Sequence, residues 1–464
     1  MSPAPTANPI SIPNLRAEFA GTVIGPTDAD YDAARVVIYN DAARPAVIVR
    51  AANAADVARA VDLATSSGLE LAIRSGGHSG AGHGTVDGGI LLDLSAMKAI
   101  EIDVEGRTVW AETGLTAAEL TTACGEHGLV IGFGDTGSVG IGGITTGGGV
   151  GFLVRKYGLT IDSVLAADVV TADGALVRTD AEHEPDLFWA IRGGGGNFGV
   201  VTRFQYKLHE LPSVVGGMLL LPATSAVIAG FIAAAAAAPE ELSAIVNVMP
   251  APPMPFVPAE IHGQLVVMAL MTYAGDAEGG QRALAPFRAL ATPIADFLRP
   301  MTYGEMFPPE DDGPHIIGTN RTLFMDHVDE GVAQLMLDRI ESHMRESDAQ
   351  MAVAQLRVLG GAMARVPADA TAFAHRRSPI MVNVAAVVAT LEDIPAHVPW
   401  LEGFAAALNQ GDDGKYVNFV VDEDETAVHR AYPGKTWDRL AAIKREYDPT
   451  NLFRRNQNIL PADA

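Results

Sequence analysis

The chain has 464 residues, 48% hydrophobic and 19% charged, which excludes a disordered polypeptide, whose balance is the reverse. Its 32 Lys and Arg against 56 Asp and Glu leave a net charge of −24; with no long basic run, a nucleic-acid or anionic-membrane surface is excluded. The single cysteine, Cys124, excludes an intramolecular disulfide and any thiolate metal cluster built by one chain.

Along the chain, MSPAPTANPISIPNL carries neither a basic nor an apolar leader region, so a cytoplasmic protein is expected. PAVIVRAA (45–52) reads as a strand, and DVARAVDLATSSGL (56–69) as a helix with Gly68 placed to end it. LAIRSGG runs as a strand into glycines, GILLDLS (89–95) and RTVWAETG follow as strands, and TAAELTTACGEHG as a helix that buries Cys124. SVLAADVVTADGALVRT (163–179) is a hairpin turning at Asp173-Gly174. DLFWAIRGGGG is a helix stopping in glycine, and FGVVTRFQYKL a strand. After Leu211 come long alternating or apolar strands: 214–221, 244–249, 264–273, 353–361 and 380–388. Helices such as GQRALAPFRALA, GVAQLMLDRIESHM and KTWDRLAAIKREYD lie between and after them. The expected class is α+β, with an antiparallel sheet covered by helices in the second half.

Glycine carries most of the functional information. GSVGIGGITTGGGVG (137–151) packs eight glycines into fifteen residues, a density that lets backbone N–H groups approach an anion such as a pyrophosphate. Gly194, Gly196 and Gly199 spell G-x-G-x-x-G, but the helix precedes and the strand follows, the reverse of a Rossmann site. Gly434-Lys435-Thr436 lacks the upstream glycine of a P-loop, since His429 stands there. A third loop, RSGGHSGAGHG (74–84), holds His78 and His83 without a third ligand in view, so no metal site is expected.

Together RSGGH (74–78), GSVGIGGITTGGGVGFLVRKYGL (137–159), LFWAIRGGGGNFGVV (187–201), YVNF (416–419) and YDPTNLFRRNQNI (447–459) resemble the berberine-bridge-enzyme-like branch of the vanillyl-alcohol-oxidase/para-cresol-methylhydroxylase flavoproteins. GFLVRKYGL and RLAAIKREYDP resemble the bacterial members around 6-hydroxy-D-nicotine oxidase. The resemblance implies a two-part FAD-binding domain of the para-cresol-methylhydroxylase type over 1–211 (core 45–211). A substrate domain over 212–415 and a segment 416–464 returning to the FAD domain would follow. It implies FAD attached covalently to His78. Doubly linked members have a cysteine where Thr136 aligns, so a single linkage is expected. Arg74, Ser75, Gly76, Gly77 and Ser79, with Gly137, Ser138, Gly140, Gly143, Gly147, Gly149 and Gly151, would wrap the pyrophosphate and ribityl chain, and His83 and Thr136 would also bind the cofactor. Gly196, Asn197, Gly199 and Val201 would lie by the adenine, and Asn418, Asn456 and Asn458 would reach the flavin ring.

For the substrate, the strand QLRVLGG would face the flavin with Gln355 and Arg357 where the nicotine-oxidising relative has a lysine and acids; Arg357 would suit an anionic or polar substrate. Tyr416 would polarise or deprotonate a hydroxyl, His375 would add a base or clamp, Tyr303 is a weaker candidate, and Ile141 would govern oxygen access. The implied activity is oxidation of a small organic, sugar or secondary-metabolite substrate at a C–H beside an alcohol or amine. Electrons would pass to O2 or another acceptor. The alternatives are a flavin-binding protein without turnover, or a flavoenzyme that cyclises or isomerises. No nucleic-acid or membrane partner is expected, and the chain would be a monomer or homodimer.

Overall fold

A computed structural model describes residues 10–39, 42–307, 317–421 and 425–463. The first part of the chain builds two sheets. In one, Val47–Arg50, Ile90–Asp93 and Leu71–Arg74 run parallel, with Thr22–Ile24 antiparallel on the edge. The helix Ala54–Ser67 makes the crossover, capped by the Asn53 side chain at its start and by left-handed Gly68 at its end. The second sheet is antiparallel, ordered Ile100–Asp103, Thr108–Glu112, Val200–Lys207, Val164–Val170 and Leu176–Asp180. The Asp173-Gly174 hairpin is formed, with Gly174 at φ +78°. Cys124 is fully buried in the helix Ala117–Gly125, and burial pushes its thiol up to about 12.

The second part is an eight-stranded antiparallel sheet. Its order is Ala295–Asp296, Val214–Pro222, Leu265–Tyr273, Leu242–Pro250, Met351–Val358, Ile380–Val388 and Ile317–Met325, with Arg299–Met301 also on Val214–Pro222. Alternation decides its two faces. Val246, Ala269, Leu356 and Val382 point into one core with Phe231, Phe287, Met336 and Phe404 from the covering helices. Asn247, Gln355, Arg357 and Asn383 point the other way, and that face meets the first part of the chain. Ile317–Met325 and the helix Ile394–Leu408 are not apparent from sequence. The strand reads IGTNRTLFM, too polar for an apolar run, and the helix carries Pro395 and Pro399.

Buried cations tie the parts together. Arg155 donates to the carbonyls of Ala235, Ala238 and Leu242, closing the C-terminal end of the alanine-rich helix Ser225–Ala237. The fully buried Arg376 forks onto Asp162 at 2.7 and 2.8 Å. Among the described residues no helix is long and apolar enough to cross a membrane.

Candidate active site

A deep cleft, roughly 1550 Å³ with its open mouth, runs where the first two sheets, the polar face of the large sheet and the C-terminal segment converge. The loop after Leu71–Arg74 supplies Arg74 to Ser79 and His83 to its wall; the glycine-rich loop supplies Thr136, Gly140 and Gly143. The loops cross at two glycines. A Cβ on Gly76 would lie 2.2 Å from the Gly140 nitrogen, and one on Gly140 equally close to the Gly76 nitrogen. Ser75 Oγ donates to the Thr113 carbonyl and accepts from Gly142 N–H, pinning the crossing. Ser138 Oγ lies 2.8 Å from His78 Nε2, so the second loop orients the imidazole of the first. Arg74 is turned aside: it pairs with Asp93 at 2.9 Å and donates to the Val36 carbonyl. Burial raises the Asp93 carboxyl, but Arg74 and Arg50 outweigh it and hold the group below the usual range.

The 137–151 run is not loop throughout, because Ile141–Thr146 forms a short helix. Its later glycines serve packing: a Cβ on Gly147 would strike Asn418, one on Gly149 Thr160, and one on Gly151 the Phe133 carbonyl. Gly137 and these three are absent from the cleft wall. Ile141 is also turned away, wholly buried in the core beneath the antiparallel sheet, while Val139 faces the cleft. Ile141, expected to govern oxygen access, therefore does not face the cleft, because the short helix begins there and points that side chain inward.

At one end stand Gly196, Gly199 and Val201 with Arg455, Asn456 and Gln457 of the tail. Asn197 lies behind them, fully buried, donating to the Gly194 and Gln457 carbonyls and accepting from Ile459 N–H. Asn456 donates to the Gly196 carbonyl, and its Oδ1, like that of Asn458 behind the wall, is buried without a partner among the described residues.

Towards the large sheet stand Tyr39, Asp135, Val150, Arg357, Tyr416, Asn418 and Phe419. Tyr416, 2% exposed, accepts at its phenol oxygen from Gly149 N–H at 3.1 Å, Val150 N–H at 3.4 Å and Asn418 Nδ2 at 2.9 Å. Burial pushes this phenol up, and those three donors and Arg357 pull against it. Arg357 pairs with Asp135 at 2.7 Å, so its charge is neutralised within the wall. Gln355 sits behind it, accepting from Arg357 and donating to Asn247. His375 lies outside the wall, stacked on Phe324 and 3.0 Å from the Ala431 carbonyl. Tyr303 is buried beside Phe307. Sequence reasoning missed Tyr39, Asp135, Val139, Arg455 and Gln457. An acid inside a glycine-rich run, GFGDTGSVG, was the available signal for Asp135.

The FAD binding domain model matches residues 45–180, and the berberine and berberine-like model matches residues 415–460. The (R)-6-hydroxynicotine oxidase of Paenarthrobacter nicotinovorans is 30% identical over 98% of this chain and 98% of its own. The chain belongs to the berberine-bridge-enzyme-like family. It is therefore an FAD-linked oxidoreductase with a fold of the para-cresol-methylhydroxylase type. The solved 6-hydroxy-D-nicotine oxidase of Arthrobacter nicotinovorans superposes with a TM-score of 0.84, at 28% identity over 96% of this chain and 98% of that one. The xylooligosaccharide oxidase of Myceliophthora thermophila, solved with xylobiose, gives 0.83 at 25% identity over 98% of this chain and 100% of that one.

The cleft fits the family's flavin by observations of its own. Gly143 lines the wall, yet a Cβ there would meet no protein atom within 4 Å, so packing does not require the glycine. One on Gly196 would meet only Asn456, at 3.9 Å. Space is thus kept open beside two backbone segments, where a ligand can approach the main chain.

Proposed function

We propose that the chain oxidises a small molecule at a C–H beside a hydroxyl, with FAD held by one covalent bond to His78 and electrons passed on to O2 or another acceptor. The observation that carries this reading is Tyr416, a buried phenol on the cleft wall whose oxygen is held by three N–H donors. Bound flavin supplies the hydride acceptor. Tyr416, as the phenolate that those donors and Arg357 stabilise, would take the proton of the substrate hydroxyl as the hydride leaves and become the neutral phenol, its oxygen already aligned. Among the wall residues Asp135 is the one carboxylate, and Arg357 occupies it. An ammonium group would find no free acid, so an uncharged alcohol suits the wall better than an amine. The half-buried amides of Asn247, Gln355, Asn320 and Asn383, bonded in pairs across neighbouring strands, extend this uncharged polar character.

A single linkage is supported by Thr136 on the wall at the second attachment position and by Cys124, sealed in a helix core. The division at 211/212 and 415/416 is read from the change of sheet after Leu211 and from the tail's return to the cleft. The test is anaerobic bleaching of the flavin against matched primary alcohols, sugars and amines, in the native protein and in Tyr416→Phe. Alcohols or sugars should bleach it, at least about a hundredfold more slowly in the variant. Bleaching by amines alone, or an unaltered rate in Tyr416→Phe, would overturn the reading.

A further inference from the structure

Arg357 is built unlike a substrate clamp. It is 4% exposed and spends its donors on protein: Nη1 to the Val150 carbonyl at 2.9 Å, Nη2 to Asp135 at 2.7 Å and to Gln355 Oε1 at 2.8 Å, and Nε to Gln355 Oε1 at 3.1 Å. Gln355 is itself fixed by donating to Asn247, which donates on to the Met268 carbonyl. The guanidinium thus has anchors on the glycine-rich loop and on Gln355 of its own strand, which Asn247 of the neighbouring strand fixes in turn. A planar fork satisfied on several edges has one orientation.

The carbonyl it holds belongs to the residue that serves Tyr416. Val150 is gripped at C=O by Arg357 and presents its N–H to the phenol oxygen, beside the N–H of Gly149. Gly149 has φ +82° and Gly148 φ +129°, conformations glycine adopts freely, so the direction of these amides is set by what the loop is bonded to. On the inner side the Thr160 side chain packs against Gly149 and is held by donating its hydroxyl to the Gly132 carbonyl. On the outer side the hold is Arg357. The rings of Phe373 and Phe419 cover Tyr416, and Arg357 is the charged side chain whose field reaches it.

We infer that Arg357 is a positioning residue: anchored by Asp135 and Gln355, it fixes the Val150 carbonyl and so aims the Gly149 and Val150 amides at the Tyr416 oxygen. This rests on Tyr416 being the group that handles the substrate proton, and it assigns Arg357 to the tyrosine rather than to the substrate. Asp135, on the glycine-rich segment, then serves the same end, since it neutralises the guanidinium and stops it swinging toward a ligand.

The test reads the phenol directly. 3,5-Difluorotyrosine placed at position 416 of the flavin-loaded protein gives a 19F signal whose shift against pH reports the ionisation midpoint, with no substrate needed. Arg357→Met should raise that midpoint by about half a pH unit or more. Arg357→Lys keeps the charge but cannot fork onto Val150 and Asp135 together, so it should raise the midpoint too. A midpoint unchanged in Arg357→Met, or restored to the native value in Arg357→Lys, overturns the positioning role; the second result would mean that charge alone matters. Failure of the underlying reading is a different result: Tyr416→Phe would bleach its flavin at the native rate, whatever the fluorine signal does.

Discussion

Replacing Lys444 by methionine should unfasten the far end of the flavin cleft. Lys444 and Asp448 are both fully buried, one helical turn apart at the end of Lys435–Tyr447. The ammonium donates to Asp448 at 2.6 Å, to the Asn197 carbonyl at 2.8 Å and to the Phe453 carbonyl at 2.9 Å. Asp448 in turn accepts from the N–H groups of Leu452 and Phe453. Burial pushes the ammonium down, and Asp448 opposes that. Methionine fills the volume but leaves Asp448 an unpaired buried charge and the Asn197 carbonyl without its donor, while the Phe453 carbonyl keeps Asn456, a loss of about 3–5 kcal/mol. Unfolding entropy of roughly 2 cal/mol/K per residue over this chain makes that a fall of only about 3–5 °C in Tm. The local effect is larger, because the same ammonium joins the loop bearing Gly196 and Gly199 to the tail bearing Asn456 and Gln457. The assay follows tryptophan and flavin fluorescence in one thermal scan. Flavin exposure should precede global unfolding in Lys444→Met and coincide with it in the native protein. A Tm within about 1 °C of native, with the two transitions still coincident, would refute the argument.

Two other outcomes follow from the geometry. Gly140→Ala sets a Cβ 2.2 Å from the Gly76 backbone and should destabilise the chain by about 1–3 kcal/mol or more, whereas Gly143→Ala meets open space and should leave Tm unchanged while lowering flavin content; equal losses of Tm would count against the crossing. His343 is buried, stacked on Trp400 and 2.9 Å from His397, and burial followed by the neighbouring imidazole pushes its pKa down from 6.5 to about 4. Its folded pKa lies below the unfolded one, so its contribution is complete above about pH 6.5 and is lost as pH falls toward 4. His343→Phe should flatten the fall of Tm across that window, and an unchanged profile would contradict this.

Much of the fold was legible because its strands and helices follow their periods. Leu356 and Arg357 fall on opposite faces of one strand as alternation requires, and Asn53, Asp56 and Gly68 bound their helix as capping rules require. Ile317–Met325 was not legible, since Asn320, Arg321 and Thr322 interrupt its apolar pattern and are stabilised only by tertiary partners such as Asn383 and Val382. At the site, the glycine loops marked where a ligand approaches backbone, but not which glycines do so: Gly143 faces the cleft while Gly147 and Gly151 make room for Asn418 and Phe133, distinctions that depend on distant segments. The charge of the wall was the least legible feature. Arg357 alone suggests an anion site; Asp135, 222 residues earlier, cancels it.

The central claim is a flavin bonded once, through His78. Acid precipitation of the purified protein, with intact mass measured on the pellet, tests it most directly. The native chain should keep its yellow colour in the pellet and weigh one FAD more than the polypeptide, and His78→Ala should release the flavin to the supernatant. Colour in the native supernatant, or a mass increment retained in His78→Ala, would contradict the account.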